Sequence, residues 1–217
     1  MKRYAVMPLV EPLPELTGEV FDPENEPFCQ AHECARIDSY VWDVTGYCPE
    51  ARAYVAWDRS GLHVLLCARE REISVAATEY NGEVYRDSCL ECFLQPFADD
   101  ARYLNIEVNA GGTALIGFGA GRSDRVRLPE LPEGMNIRAS RHRGAWWAVA
   151  YVIPAELLRK LYGRVPAPGS VMRGNFYKCD ESIHPHFGSW SPIVHFQPDF
   201  HRPEWFGMLS LESVSKP

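Results

Sequence analysis

Apolar and polar residues alternate in short runs along most of the chain, the period-2 signature of half-buried strands. Ala51 to Trp57 alternates and stops at Asp58-Arg59-Ser60-Gly61, a turn signal, and Leu62 to Ala68 returns as its hairpin partner. Cys89 to Gln95 is a further strand, ended by Pro96. Arg102 to Asn109 runs into Ala110-Gly111-Gly112, and Thr113 to Gly119 comes back beside it. Ile137 to Ser140 and Trp146 to Ile153 flank a turn at Arg143-Gly144. Val171 to Cys179 and Trp205 to Leu211 complete the strands. One helix is predicted over Ala155 to Tyr162, with Pro154 at its first position and Gly163 closing it. Residues 1–30 are rich in Pro and acids and read as an extended arm with one short strand at Tyr4 to Met7. Turns recur about every ten residues, which favours an antiparallel sandwich or barrel over βαβ units. No linker or repeat divides the chain, so residues 1–217 read as one all-β domain.

Composition narrows the class of partner. Hydrophobic residues make up 46% and charged residues 24%, ordinary values for a globular domain. The formal charge of −7 argues against phosphate-backbone binding, which needs a concentrated basic face, so no nucleic-acid partner is expected. The densest basic stretch, Arg138 to Arg143, surrounds a turn and reads as a solvated loop. No apolar run approaches the ~20 residues of a membrane span, so no membrane partner is expected. Met1-Lys2-Arg3-Tyr4 is not followed by the apolar core of a secretion signal. As written the chain reads as cytoplasmic, and as extracellular if a longer precursor exists.

Seven cysteines, an odd number, several of them inside strand patterns, read as reduced thiols. Cys89 and Cys92 stand three apart on one strand and so point to opposite faces, a geometry that clasps no single metal ion.

Several stretches, taken in order, resemble the family 9 carbohydrate-binding modules and their relatives in the wider DOMON-like superfamily. They are Ala53-Tyr54-Val55-Ala56-Trp57-Asp58, Tyr85-Arg86-Asp87-Ser88-Cys89-Leu90-Glu91-Cys92-Phe93-Leu94-Gln95-Pro96 and Tyr103-Leu104-Asn105-Ile106-Glu107-Val108-Asn109. Trp147 to Pro154, Asn175-Phe176-Tyr177-Lys178-Cys179, Ser189-Trp190-Ser191-Pro192-Ile193 and Phe206-Gly207-Met208-Leu209 follow. The resemblance covers residues 33–213. It implies a two-sheet antiparallel β-sandwich of immunoglobulin or jelly-roll type without catalytic machinery. It also implies a mono- or oligosaccharide ligand, clamped between two aromatic rings and read by polar side chains. Structural calcium is frequent in the family; the acidic stretches at Asp22, Glu24, Asn25 and Glu26 and at Asp99-Asp100 are where this chain could hold it.

The residue chemistry bears on that expectation position by position. A sugar offers an apolar C–H face and a rim of hydroxyls, so a binder needs rings for the face and bidentate polar groups for the rim. Tyr85 precedes Glu91 by six residues, the spacing at which the family places an aromatic clamp and a sugar-binding carboxylate. Some members carry Trp at the first position. The bland reading has Tyr85 capping a loop and Glu91 pairing with an arginine. Asn105, Glu107 and Asn109 form a polar stripe opposite Leu104, Ile106 and Val108. Asn109 matches the family's strand-end asparagine, whereas Glu107 stands where sugar-binding members can have Arg. Trp190, in a Ser-Trp-Ser-Pro loop, is the candidate second clamp, or else a plug at the sandwich end. Lys178 and Asn175 are candidate hydroxyl donors.

Two rivals remain at this stage. His184, His186, His195 and His201 with Asp180, Asp199 and Glu204 could furnish a metal site and a metal-dependent hydrolase, although the spacing matches no metalloenzyme signature. A haem-binding sensor would need a His or Met ligand in an apolar pocket. Nucleophilic catalysis finds no Gly-x-Ser-x-Gly elbow, and Gly117-Phe118-Gly119-Ala120-Gly121 lacks the lysine and helix of a phosphate loop.

Overall fold

The computed structural model describes residues 1–17, 20–142 and 144–213; Arg143 of the predicted turn and Gly18 and Glu19 of the arm lie outside the described residues. In chain order the strands are β1 (Arg3–Pro8), β2 (Ala35–Ile37), β3 (Glu50–Asp58), β4 (Gly61–Arg69), β5 (Cys89–Gln95), β6 (Tyr103–Asn109) and β7 (Ala114–Gly119). They continue as β8 (Val126–Arg127), β9 (Arg138–Ser140), β10 (Trp147–Pro154), β11 (Val171–Asp180), β12 (His186–Ser189) and β13 (Gly207–Leu211). Two short helices, α1 (Pro27–Ala31) and α2 (Ala155–Tyr162), accompany them.

The strands form the two sheets of a β-sandwich. One runs β8-β7-β6-β5-β11-β13, with β12 also on β11; the other runs β3-β4-β10-β9, with β2 also on β3. Within each sheet the pairings are antiparallel, as the hairpin signals require. Strand β1 departs from that pattern. Its Arg3–Val6 half pairs parallel with Met208–Leu211 of β13, and its Met7–Pro8 end pairs parallel with Ala56–Trp57 of β3. The two sheets are therefore one continuous ladder bent at β1.

Alternation puts Leu90, Cys92, Leu104, Ile106, Val108 and Phe176 of the first sheet against Val55, Val64, Leu66, Trp147, Val149 and Tyr151 of the second, in one inter-sheet core. The opposite side chains of the second sheet are covered by the N-terminal arm. Leu13, Phe21 and Phe28 of the arm pack on Tyr54, Leu65, Cys67 and Trp146. The arm is thus more ordered than predicted, and the expectation of a single helix is corrected: α1 starts at Pro27, capped by Glu26, whose side chain accepts the Phe28 N–H. Helix α2 has the predicted bounds, but Pro154 is its N-cap residue rather than its first helical position, and it closes β10 as well. The predicted turn before Gly61 needs that glycine. Its φ is +147°, and a Cβ there would stand 2.1 Å from the Ile153 carbonyl oxygen.

The outward face of the first sheet is not open to solvent. Residues 193–206 and the segment before Asp87 fold over it, burying Phe93, Tyr103, Tyr177, Phe200 and Phe206 in a third apolar cluster. Between those coverings one cavity remains.

Candidate functional site

The cavity, of about 240 Å³, opens on the outward face of the first sheet. Its floor is built by strand alternation: Glu91 of β5, Glu107 of β6 and Cys179 of β11 all point to that side. Tyr85 forms one wall, Phe187 and Phe200 another, and Arg122, Arg125 and Arg127 a third. The sheet fixes the floor rigidly, whereas the walls come from loops pinned by specific bonds. Asp87 accepts from the Ala76 and Ala77 N–H groups at 2.9 Å each and from Asn109 Nδ2 at 2.8 Å, which anchors the turn that carries Tyr85. Phe200 stacks on Tyr177 with ring centroids 4.1 Å apart and an interplanar angle of 7°, and its carbonyl accepts the Tyr177 hydroxyl. Trp42 donates from Nε1 to the His195 carbonyl at 2.8 Å and holds the same loop from its other side.

The floor is chemically unusual. Glu91 and Glu107 stand directly opposite each other on neighbouring strands, each 2% exposed. Burial pushes the Glu91 carboxyl well above the usual carboxylate range, and the Cys179 thiol, which donates to its Oε1 at 3.1 Å, accompanies it there. Burial raises Glu107 to about 7, against the pull of Arg125 and a bond from Asn105 Nδ2 at 2.8 Å. Folded Glu107 therefore keeps a proton that the unfolded chain releases near 4.5. Its contribution to stability is complete below pH 4.5 and is lost as pH rises through about 7. In urea unfolding followed across that window, wild type is expected to lose stability relative to Glu107→Gln; parallel curves would show that Glu107 does not titrate there.

Of the residues expected at the site, Tyr85 and Glu91 line the cavity and the other four do not. Trp190 is 3% exposed and lies in the inter-sheet core, edge-on to Tyr4 at 6.3 Å and tilted against Phe176 at 5.5 Å. It is the plug and not the clamp, because a ring buried in the core has no face open to a sugar. Asn109 spends both amide hydrogens on Ala77 and Asp87 and its oxygen on the Gly111 and Thr113 N–H groups, so it ties loops together instead of reading hydroxyls. Asn175 is bonded to Ser191 N–H and C=O and to the Phe176 N–H. Lys178 points to the inter-sheet side, where Nζ meets Glu70 Oε2 at 3.1 Å and the Cys179 carbonyl at 2.7 Å.

The histidine-rich stretch does not converge, which removes the basis for the metal-hydrolase reading. His186 faces the core beside Glu70, and burial with Lys178 nearby depresses it to about 4. His184 lies tilted against Tyr47, and His195 Nε2 meets Arg202. His201 faces the cavity, with Nδ1 2.7 Å from the Tyr103 hydroxyl and the Arg125 guanidinium against its ring. That guanidinium and the arginine wall also disfavour the haem reading, which needs a free imidazole in apolar surroundings. The acidic side chains of the two stretches bond to protein partners among the described residues. Glu24 pairs with Arg52, Asp99 with Arg164 and Asp100 with Arg102, while Asp22 accepts from Asn25 and Glu24. Among the described residues the tight cluster of ligand-type atoms is Cys89, Glu91 and Cys179, within 4.8 Å of one another. Burial holds Cys89 up at about 11, and Cys179 is raised further by Cys89 and by burial, so both thiols stay protonated. As predicted, Cys92 faces the opposite way, into the core.

Sequence reasoning missed Phe187, Phe200 and the three arginines. The arginines carried one legible signal: Arg125 and Arg127 are two apart, the spacing that puts side chains of extended chain on one face. The aromatic pair carried none, since it becomes a wall only when residues 198–201 fold back over β11.

A two-sheet sandwich with a ring-walled, carboxyl-floored cavity on one sheet face is the architecture of a small-ligand binding module. The carbohydrate-binding family 9 model matches residues 24–211, and the chain belongs to that family, whose members bind sugars without catalysis. A solved candidate carbohydrate-binding protein from Bacteroides uniformis is 29% identical, with 97% of this chain and 99% of that chain covered and a TM-score of 0.78. A family 9 carbohydrate-binding module from Caldicellulosiruptor kristjanssonii shares the fold in two complexes. With cellotriose the identity is 16%, the coverage 99% and 95%, and the TM-score 0.63; with glucose these are 15%, 100% and 98%, and 0.62. No curated protein matches the chain. No helix among the described residues is long and apolar enough to cross a membrane.

Proposed function

We propose that this carbohydrate-binding domain holds one sugar ring in the cavity between Tyr85 and the Phe187–Phe200 wall. The observation that carries this reading is the combination of aromatic side walls with inward-facing Glu91 and Glu107. It offers ring faces to a pyranose C–H surface and carboxyl oxygens to its hydroxyls. A buried carboxyl that keeps its proton can both donate to and accept from a hydroxyl, which a carboxylate cannot. At about 240 Å³ the cavity lies just below the ~300 Å³ at which ligand pockets usually start, so a single ring fits it better than a long chain.

Affinity should be roughly micromolar to millimolar, because hydroxyl contacts largely replace contacts with water. Isothermal titration against glucose, xylose, galactose and cellobiose tests the reading. Tyr85→Ala is expected to weaken the best ligand by about tenfold, the loss of ~0.5–1.5 kcal/mol of stacking plus buried ring area. Tyr85 is half-buried and bonded only to exposed Glu83 through its hydroxyl, so the variant should keep the wild-type melting temperature. Unchanged affinity in a folded variant would remove Tyr85 from the site.

A further inference from the structure

The cavity holds more positive charge than its own carboxylates use. Arg122, Arg125 and Arg127 all reach it from one segment, the turn after β7 and β8 itself. Arg122 is neutralised: its Nη2 lies 3.0 Å from Asp199 Oδ1. Asp199 is itself shared, since Arg202 Nε lies 2.7 Å from its other oxygen. At the rim, Glu181 faces Arg86 at 3.9 Å. Arg125 and Arg127 have no ion-pair partner among the described residues. Arg127 donates to the Asn81 carbonyl at 2.7 Å, a neutral acceptor. Arg125 abuts the His201 ring, and burial together with Arg125 and Arg122 depresses that imidazole to about 3, which keeps it uncharged. Beneath them, Glu91 and Glu107 crowd each other across neighbouring strands, and two such carboxyls do not both ionise readily. A guanidinium half-buried beside a neutral imidazole is an expensive arrangement to maintain for neutral hydroxyls. It is a suitable one for a planar or tetrahedral anion, which the guanidinium fork meets with two parallel hydrogen bonds.

Resting on the sugar-binding reading above, we propose that the natural ligand is an anionic saccharide whose carboxylate or sulfate group is taken by Arg125 and Arg127 while its ring lies against the aromatic walls. Uronic acids and sulfated sugars share this chemistry. The ring supplies the orientation and the anion supplies the selectivity.

Titration calorimetry with glucuronate, galacturonate and glucose 6-sulfate beside glucose and galactose tests the proposal. The anionic sugars are expected to bind at least about tenfold tighter than their neutral counterparts, with the preference shrinking between ~0.02 M and ~0.3 M salt. The ratio of uronate to sulfate affinity identifies which anion the site fits. Arg125→Gln should weaken the anionic sugars about tenfold more than the neutral ones, and Arg125→Lys should restore part of the difference. Equal or tighter binding of neutral sugars, or equal losses for both classes in Arg125→Gln, overturns the charge selectivity and leaves the sugar site standing. Failure of every sugar to bind overturns both readings. Inorganic sulfate binding as tightly as the sulfated sugar would reduce the site to a plain anion site and overturn the saccharide.

Discussion

Glu70→Ala is expected to destabilise the domain by about 3–5 kcal/mol, the range for removing one partner of a buried ion pair. Glu70 sits just past the end of β4 with its side chain almost wholly buried, and its two oxygens serve different partners. Oε1 accepts the Trp147 indole N–H at 2.7 Å, and Oε2 lies 3.1 Å from Lys178 Nζ and 3.7 Å from His186 Nε2. Lys178 is 0% exposed, so without Glu70 its charge would keep only the Cys179 carbonyl and the face of Trp147. The indole N–H would be orphaned in the same step, at a further ~1–3 kcal/mol. Urea unfolding of Glu70→Ala and of Glu70→Leu with Lys178→Met separates the two contributions. The double variant should recover much of the loss, since an apolar pair of similar volume leaves no uncompensated charge. A single-variant loss under ~1 kcal/mol would mean that water reaches Lys178.

Trp190→Ala should cost a similar ~3–5 kcal/mol, by opening a cavity in the inter-sheet core. At ~2–4 °C per kcal/mol for a chain of this size, the melting temperature should fall by roughly 6–20 °C. The ring fits because residue 207 is glycine: a Cβ there would stand 2.3 Å from Trp190 Cζ3. Gly207→Ala should therefore destabilise wild type more than it destabilises Trp190→Phe, whose smaller ring leaves room. Thermal unfolding of the four proteins reads this coupling directly. A Trp190→Ala protein melting within 2 °C or so of wild type would return the ring to the surface.

What the sequence made legible follows from what period 2 encodes. It fixes which residues share a face, so β3 to β7, β10, β11 and β13 were predicted to within about two residues, and the outward stripe of Asn105, Glu107 and Asn109 was assigned to the correct side. It does not say what lies over that face. Asn109 and Asn175 look like ligand-facing residues on a bare sheet, but the chain folded over that face makes them loop ties, and Trp190 is drawn into the inter-sheet core beside Tyr4 and Phe176. Lys178, expected as a hydroxyl donor, lies at an inward position for a different reason. A lysine at an inward position contradicts the alternation rule unless a buried acid meets it, and that acid, Glu70, is over a hundred residues away in the chain. The two short strands β2 and β8 have too few residues to show any period. The two-residue spacing of Arg125 and Arg127 points to the cavity only once β8 is known to pair with β7 at Gly117 and Phe118.

The parallel seam at β1 has a temporal meaning. Arg3 to Val6 must find Met208 to Leu211, segments about two hundred residues apart along the chain. The antiparallel pairings lie within each sheet, while the inner face of each is buried against the other. The closure at β1 waits for β13 and is the most distant strand pairing among the described residues, the kind of contact that slows folding most. Until then β13's place beside β1 is an open strand edge, and a nascent chain stalled before residue 207 would present that edge to its neighbours.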